Sequence, residues 1–458
     1  MSAELLAPAM FLSLVVILLA GFPVAFSLAA VAGVFGAIGI GTGHFKASYL
    51  LAMTLRLQGT FFNDNLLAIP LLVFMGMILE RAGLAEDMFE ALHRLFGRTP
   101  AGLAYAVIVV GAVLSAVTGF VSAAVIALGL IAMPAMLRAG YDHRLAAGAV
   151  AAGGTLAQVM PPSLVLIVLA EQLEVSLVEI YRGALLPALM LIGVYLAYIF
   201  ILTLRRPGLA PPAAGGSVDS TRLSLWRDAA MAAGLPIGLV VLVLLSIYFG
   251  VATPGEGGAI GVTGALLLAL VKRRLTVRRL HDALMAAGIL CSCVTFLLFG
   301  ASFFTLVFRG FDGHVWIEEL FKHLPAGQTG FLIVLNIAIF LLAFFLDFFE
   351  IAFIVLPLIG PIARAMGVDM AWLAVLLAVN LQTSFMHPPF GIALYNLRSV
   401  TPRAVATTSI YWGAVPFVVL QLLMVGVLIA APQLVIQSKP APIDASKITI
   451  DLPPPDDP

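Results

Sequence analysis

The feature that most limits how this chain can fold is the length of its uncharged apolar segments. From Ala229 to Gly255 no residue is charged, and most of the residues are apolar. This exceeds the ~20 residues that an α-helix needs to cross the ~30 Å hydrocarbon layer of a membrane. Several such segments occur, and only 10% of all residues are charged, against roughly a quarter in soluble globular proteins. The sequence therefore predicts an all-α polytopic membrane protein.

Composition and motifs argue against several other classes of protein. Cys291 and Cys293 lie on different faces of an apolar helix, which favours small buried side chains over a metal or redox site. The formal net charge of +0 gives no indication of a nucleic-acid partner. The motifs of zinc proteases, serine hydrolases and phosphate-binding loops are absent from the sequence, so we expect no enzyme, no ATP-driven pump and no cofactor. Residues 1–21 lack a basic n-region and a cleavage site, which predicts a retained membrane segment.

Proline, glycine and aspartate recur at a nearly constant spacing, which indicates an internal repeat. Pro161-Pro162 recurs 227 residues later as Pro388-Pro389. The same spacing relates three further pairs: Pro134 and Pro361, Gly140 and Gly367, and Asp142 and Asp369. We infer a first repeat over residues 1–203, a connector over 204–228 and a second repeat over 229–433, followed by a Pro- and Asp-rich tail over 434–458 that we expect to be disordered.

The distribution of Lys and Arg predicts the orientation in the membrane. With the connector in the cytoplasm, 16 of the 24 Lys and Arg residues lie on the cytoplasmic side. The first repeat then runs opposite to the second, and both termini and the tail lie on the periplasmic side. This is the pattern of an inverted-topology repeat. The candidate spans are 7–22, 24–41, 64–80, 145–170, 183–203, 230–250, 258–271, 283–308, 371–397 and 405–433.

Two of these spans contain paired prolines at repeat-related positions. Pro161-Pro162 interrupts 145–170, and Pro388-Pro389 interrupts 371–397. Proline lacks a backbone N–H and clashes with the preceding turn, so two in succession should unwind the helix. Irregular backbone survives in a membrane only inside protein or beside a cavity, and there the freed carbonyls suit a cation and the half-helix ends suit a carboxylate. The alternative is a proline kink without a ligand.

Two other apolar blocks, 101–137 and 328–366, are too long for one span. Each has a small or polar centre, Thr118 to Ser122 in the first block and Asp347 to Glu350 in the second. We interpret each block as a re-entrant helical hairpin with its tip near the middle of the membrane. An ordinary pair of spans is the alternative, and it would place Asp347 in an extramembrane turn.

These features together resemble the large membrane subunit of tripartite ATP-independent periplasmic (TRAP) transporters, over nearly the whole chain. The resemblance rests on the following segments: Gly21-Phe22-Pro23, Ile69-Pro70-Leu71, Met133 to Met136, Gly140-Tyr141-Asp142, Pro161-Pro162-Ser163, Thr253 to Glu256, and Asn380 through Pro388 to Gly391. It implies a sodium-driven elevator in the bacterial inner membrane, in which hairpins and broken helices move against a scaffold. It also implies two sodium ions, a small four-helix membrane subunit, and a periplasmic binding protein that delivers a small organic acid.

The resemblance also implies site residues. The first sodium site would use Thr118, Gly119 and Ser122 with carbonyls near Ala157, Met160 and Pro162. The second would use Asp347 with carbonyls near Ser384, His387 and Phe390. The sequence departs from the family pattern at the first tip, where no acidic residue follows, at Ala157 and Ser384, where glycine is common, and at His387, where threonine is usual. Because imidazole titrates near neutral pH, His387 raises the prospect of proton sensitivity.

Small polar side chains between the two sites are the candidates for binding the solute. They are Ser122, Ser163, Asn380 and Thr383, each of which could equally serve helix packing. Asp347 could act as a helix cap instead of a ligand, and capping is the role that we favour for it. An acidic residue within a membrane segment is a candidate functional residue by default, so the role of Glu350 is left undecided. The alternative function is an ion/proton antiporter or a proton-coupled anion transporter on the same scaffold. The sequence does not identify the solute.

Overall fold

The computed structural model describes residues 5–62, 64–97, 99–212, 222–322, 327–388 and 391–436. Throughout these ranges the chain is helical, without a β-strand. The helices of the first part are α1 (Leu6–Leu19), α2 (Val24–Gly41), α3 (Ala52–Phe61), α4 (Asp64–Arg81), α5 (Leu84–Phe96), α6 (Gly102–Thr118), α7 (Val121–Arg138), α8 (His143–Thr155), α9 (Leu164–Gln172) and α10 (Leu177–Arg205). Those of the second part are α11 (Arg222–Tyr248), α12 (Pro254–Val271), α13 (Val277–Gly310), α14 (Gly313–Lys322), α15 (Gly327–Leu342), α16 (Phe348–Ile354), α17 (Leu356–Ala365), α18 (Met370–Leu381), α19 (Ile392–Val400) and α20 (Thr407–Ala430).

Seven of the described helices are long and apolar enough to cross a membrane. They are α2, α7, α10, α11, α12, α13 and α20, and the number rises to nine if each of two bent pairs is counted as one span. The predicted all-α polytopic fold is therefore confirmed. The limits of the two repeats stay predictions. Of the connector, residues 213–221 lie outside the described residues, and so do residues 437–458 of the tail.

The chain is broken at both predicted positions. A 3-10 segment, Leu156–Gln158, follows α8, and the backbone is irregular from there to the start of α9. In the same way the 3-10 segment Gln382–Met386 follows α18, and α19 begins only after Gly391. Both broken helices also start alike, because Asp142 accepts hydrogen bonds from the first turn of α8 and Asp369 from the first turn of α18. These aspartates act as N-caps that supply an acceptor to otherwise unpaired N–H groups.

The first hairpin consists of α6 and α7, joined by Gly119 and Phe120. Gly119 has a φ of +59°, which a residue without a side chain adopts most readily. At the base, the N–H of Leu103 donates to the hydroxyl of Tyr141 at 3.2 Å, so the two limbs begin and end at the same place. The predicted block 101–137 thus folds as a hairpin.

The second hairpin differs from the prediction in its tip and in its second limb. The turn occupies residues 343–347, and Phe348 to Glu350 already belong to α16. The second limb bends by 53° between α16 and α17. Pro357 explains the bend, since it cannot donate to the carbonyl of Phe353. Gln328 donates to the carbonyl of Gly367 at 3.4 Å and closes the base.

Repeat-related residues meet in the centre of the molecule. Gln382 donates to the hydroxyl of Thr155 at 3.2 Å, and these residues are 227 positions apart. Gln421 donates to the hydroxyl of Tyr195 at 2.8 Å, at a separation of 226. Residues related by a two-fold axis contact one another where they lie on that axis. The four side chains, which we call the axial polar cluster, therefore mark the pseudo-two-fold axis of the inverted repeat.

Backbone-to-backbone packing holds the broken helix α8 against α20. A methyl group added to Gly148 would lie 2.1 Å from the carbonyl oxygen of Gly413, and one added to Gly413 would lie 2.2 Å from the carbonyl oxygen of Arg144. Small residues that let helix backbones approach closely are typical of membrane helix interfaces. On another face, Asp87 of α5 accepts from Lys272 at 2.6 Å and from Arg274 at 3.0 Å, which ties α5 to the loop after α12.

Replacing Gly148 by Ala should destabilise the protein, because the added methyl group meets backbone atoms that no rotamer change can move. We expect a loss of about 1–3 kcal/mol, the usual cost of overpacking, seen as a lower midpoint in thermal unfolding of the detergent-solubilised protein. Gly193→Ala is the matched control, since nothing lies within 4 Å of a methyl group added there. Equal unfolding midpoints for the two variants would contradict the packing argument.

Candidate ion and solute site

The first helix break exposes main-chain oxygen atoms because of its two prolines. A residue at position 161 would normally donate to the carbonyl of Ala157, and Pro161 has no N–H with which to do so. Pro162 likewise has no N–H to donate to the carbonyl of Gln158, which instead accepts from the hydroxyl of Ser163 at 2.8 Å. Ala157 and Pro162 are buried, whereas Met160 is half-buried. Two of the three predicted carbonyl ligands thus lie in the interior.

The tip of the first hairpin lies directly against this break. A methyl group added to Gly119 would be 3.2 Å from the carbonyl oxygen of Pro162. Gly76 of α4 packs against the tip from another side, since a methyl group there would be 2.6 Å from the Cα of Thr118. A hairpin tip that meets the middle of another membrane segment is not an extramembrane turn, so the interpretation as an ordinary pair of spans does not describe residues 101–137.

A small cavity of about 10 Å³ lies at this junction, lined by Thr118, Gly119 and Pro162 together with residues of α4 and α9. That volume is about what one water-sized species needs. The hydroxyl oxygen of Thr118 is buried and has no hydrogen-bond partner among the described residues. A buried polar atom without a partner is costly, so the hydroxyl of Thr118 is a candidate to contact a species bound in this cavity. Ser122, the other predicted side-chain ligand, is half-buried in the first turn of α7.

Ser163 has a local structural role at the start of α9. Its hydroxyl accepts from the N–H of Val165 at 3.1 Å while it donates to Gln158, so it caps the second half-helix and bridges the break. Both hydrogen-bonding functions of the hydroxyl are used in this way. The geometry therefore gives Ser163 a capping role, and its predicted contact with solute stays a prediction.

The second helix break repeats the chemistry of the first. Pro388 cannot donate to the carbonyl of Ser384, which lies at the position equivalent to Ala157. The hydroxyls of Thr383 and Ser384 donate to the carbonyls three residues earlier, each at 2.7 Å. Their oxygens keep acceptor capacity, as each hydroxyl has two lone pairs. Phe390, the remaining predicted carbonyl ligand, lies outside the described residues, as does Pro389.

Asp347 caps α16. Its carboxylate accepts from the N–H of Glu350 at 2.9 Å, and the carboxylate of Glu350 accepts from the N–H of Asp347 at 3.0 Å. This reciprocal arrangement is a capping box, which satisfies two N–H groups that a helix start leaves unpaired. The capping role favoured from the sequence is thus present in the structure, and Glu350 shares it.

His387 is held between aromatic rings of the second hairpin. Its ring stacks on Phe344 with centroids 4.3 Å apart and meets Phe340 edge-on at 4.6 Å. The side chain is buried, with the residue 2% exposed. The second hairpin therefore contacts the second break through this aromatic clamp, as the tip of the first hairpin contacts the first break at Gly119.

Asn380 joins the second broken helix to the second hairpin. Its amide donates to both the carbonyl and the side-chain oxygen of Asn336 in α15, each at 2.8 Å. The side-chain oxygen of Asn380 has no partner among the residues that the structure describes. That oxygen could accept a hydrogen bond from a solute, while the amide group has a structural contact already.

Sequence reasoning missed the buried glutamines. Gln158, in the 3-10 turn before the first break, is 0% exposed, and neither atom of its amide has a partner in the described ranges. Gln382 and Gln421 belong to the axial polar cluster, and the side-chain oxygen of each is likewise unpaired there. The available signal was the repeat itself, because Gln382 follows Thr155 at the spacing of the paired prolines.

The two junctions supply carbonyl, hydroxyl and amide oxygens in a buried setting. Hard monovalent cations prefer oxygen ligands, whereas transition metals favour clusters of imidazole or thiolate. Within the described ranges no group of three or more His, Cys, Asp or Glu side chains could hold a metal ion. The chemistry of the donor set therefore fits an alkali cation.

Comparisons with known proteins agree on one family. Residues 11–434 match the family model of the tripartite ATP-independent periplasmic transporter, DctM component. The chain is 28% identical to the C4-dicarboxylate TRAP transporter large permease protein DctM of Pseudomonas aeruginosa, over 80% of this chain and 84% of that protein. It is 26% identical to the ectoine/5-hydroxyectoine TRAP transporter large permease protein UehC of Ruegeria pomeroyi, over 94% of this chain and 97% of that protein.

One solved structure shows a similar fold. The crystal structure of the Alcanivorax borkumensis YdaH transporter superposes with a TM-score of 0.61, covering 92% of this chain and 98% of that one. The sequence identity is 15%, so the likeness concerns the fold alone.

Substitutions at Asp347 separate capping from a role of its charge. Asp347→Ala should lower the free energy of unfolding by ~1 kcal/mol, the usual cost of losing an N-cap. Asp347→Asn should leave the free energy of unfolding nearly unchanged, because the amide oxygen can still accept from the N–H of Glu350. Thermal unfolding and solute uptake would be measured on both. If Asp347→Asn abolished uptake while remaining as stable as the unmodified protein, the charge would be the functional property.

Proposed function

Because the chain belongs to the DctM component family of tripartite ATP-independent periplasmic transporters, we propose that it imports a small organic acid by coupling its movement to sodium. The protein is the large permease of such a system, a multi-pass protein of the inner membrane, and its relatives are permeases rather than enzymes. The observation that carries the proposal is the contact between the first hairpin tip and the first break, where the buried hydroxyl of Thr118 has no partner among the described residues.

Two sodium sites belong to this proposal, with the residues that the resemblance to the family implies. The first comprises Thr118, Gly119 and Ser122 with the carbonyls of Ala157, Met160 and Pro162. The second comprises the Asp347 tip with the carbonyls of Ser384, His387 and Phe390. Each sodium that moves down the membrane potential supplies about 2.3 kcal/mol per 100 mV, which is enough for two ions to drive accumulation of a monovalent anion.

The solute would lie between the two junctions, near the axis. Ser122, Asn380 and Thr383 supply hydroxyl and amide groups there, and Ser163 fixes the half-helix whose N-terminus faces the break. A helix N-terminus favours a carboxylate through its free N–H groups and its dipole. Gln158 joins this set, because its buried amide has two unpaired atoms among the described residues.

The elements that would move are tied to one another. Arg364 of the second hairpin donates to the carboxylate of Glu174 at 2.9 Å, just after the first broken helix. The Asn380–Asn336 contact and the axial polar cluster add further links. Helices α4 and α12 pack closely with each other and form part of the surrounding scaffold. An elevator motion of the linked hairpins and broken helices against that scaffold is the mechanism we propose.

Two partners belong to this proposal. A small four-helix membrane subunit would brace the scaffold, and a periplasmic binding protein would deliver the solute. An isethionate TRAP transporter permease protein named DctMQ, from Oleidesulfovibrio alaskensis, matches this chain over only 58% of its own length. Two of the relatives are named for different solutes, one for C4-dicarboxylates and one for ectoines. The comparisons therefore leave the solute of this permease open.

Uptake into proteoliposomes tests the coupling. The permease, its small subunit and its binding protein would be offered radiolabelled succinate, isethionate, ectoine and sialic acid under an inward sodium gradient. We expect accumulation of one of these solutes, and none when potassium replaces sodium or when the binding protein is omitted. Accumulation that followed an imposed proton gradient and ignored sodium would favour the proton-coupled alternative, in which His387 would be the group to examine.

Thr118→Val tests the first sodium site, because valine keeps the shape of threonine and removes the hydroxyl. We expect the sodium concentration for half-maximal uptake to rise roughly tenfold, as for the loss of a ~1.4 kcal/mol interaction. Thr263→Val is the control, since the hydroxyl of Thr263 bonds only within its own helix, to Ala259 at 2.9 Å. An unchanged sodium dependence in Thr118→Val would exclude the hydroxyl as a ligand.

A further inference from the structure

A second, larger polar cavity lies away from the two junctions. It has a volume of about 720 Å³, within the ~300–1,000 Å³ typical of small-molecule sites. Helices α3 and α13 form one wall, and the end of α9 with α17 forms the other. Helix α9 is a limb of the first broken helix and α17 is a limb of the second hairpin, so this wall belongs to the elements that we propose to move. Helices α3 and α13 are not among those elements.

The cavity opens on the side opposite the connector. Arg309 lies in the last turn of α13, whose first turn follows the basic loop 272–276, which the positive-inside rule assigns to the cytoplasm. Arg364 lies beside Gly367, where the base of the second hairpin closes. The cavity is therefore on the periplasmic face, from which a solute would arrive.

The charges on the two walls differ. Arg364 is anchored on its own wall, where it pairs with Glu174 and donates to the carbonyl of Leu173 at 2.5 Å. Glu171 lies on that wall as well. The facing wall carries two guanidinium groups, Arg56 and Arg309, and no carboxylate.

No ion pair joins Arg56 or Arg309 to a carboxylate within the described ranges, although Glu171 and Glu174 line the same cavity. Neither arginine forms a side-chain hydrogen bond with a described residue, although Arg56 is half-buried. Two cations that line one cavity repel each other, and partial burial adds a desolvation cost. Both costs fall when an anion lies between them. Guanidinium groups also match the planar geometry of carboxylates, which they bind through paired N–H donors.

We propose that Arg56 and Arg309 form a capture site for a small carboxylate anion on the periplasmic face. The hydroxyls of Thr60, Ser302 and Thr305 line the same cavity and would complete the donor set. The site rests on the proposed import function and sharpens it, because it selects anionic solutes over zwitterions such as ectoine. An anion would bind here after release from the binding protein and before it reaches the junctions.

Chemical protection of arginine tests the site without requiring transport. The full-length protein in nanodiscs would be treated with phenylglyoxal, and modification of Arg309, which is exposed, would be followed by peptide mass spectrometry. We expect succinate to slow this reaction saturably, and ectoine to leave it unchanged. Arg278, exposed on the opposite face, is the internal control and should react at one rate throughout.

Arg56→Gln should raise the succinate concentration that gives half-maximal protection of Arg309 roughly tenfold, as a hydrogen bond to a charged group contributes about that factor in affinity. Lys46→Gln removes a positive charge from the same face outside the cavity and should change nothing. Equal protection of Arg278, equal protection by ectoine, or no effect of Arg56→Gln would overturn the capture site. Protection without sodium-driven uptake would instead count against the proposed function alone.

Discussion

Main-chain hydrogen bonding in an apolar solvent is the constraint on which the rest of this structure depends. An unpaired carbonyl in lipid costs several kcal/mol, so a membrane helix can be interrupted only where protein or a bound species covers the interruption. The paired prolines create two such interruptions, after Gln158 and after Met386. The position of each hairpin is thereby fixed, because its tip packs against one break and covers it. The hairpins and broken helices form one arrangement for this reason.

Burial decides how much the contacts between these elements contribute. Thr155, Gln382, Tyr195 and Gln421 are fully buried, so the hydrogen bonds of the axial polar cluster each contribute about 0.5–1.5 kcal/mol. Leaving any of these groups unpaired would cost as much or more. The pair of Arg364 and Glu174 is largely exposed, and exposed ion pairs contribute about 0–1 kcal/mol. Among these polar contacts, those of the axial polar cluster therefore contribute most.

Charge is distributed differently in the interior and at the periplasmic cavity. The first junction presents neutral carbonyl and hydroxyl oxygens, and the second adds the carboxylates of Asp347 and Glu350, which are engaged in capping. Oxygen donors of both kinds suit a cation. The cavity at Arg56 and Arg309 presents fixed positive charge where water is close. Under the proposed function, an anion and a cation would bind in separate places before they meet between the hairpin tips.

The sequence by itself determined the local breaks and the first hairpin turn. Paired prolines and the hairpin at Gly119 act through the backbone of neighbouring residues, so their effect can be read from the chain. The tertiary structure alone decided what lies opposite each break. It placed two phenylalanine rings on His387, left Thr118 unpaired beside a cavity, and brought Gln382 to Thr155. Contacts between residues more than 200 positions apart depend on how whole helices pack, and apolar periodicity does not encode which polar side chain a neighbouring helix presents.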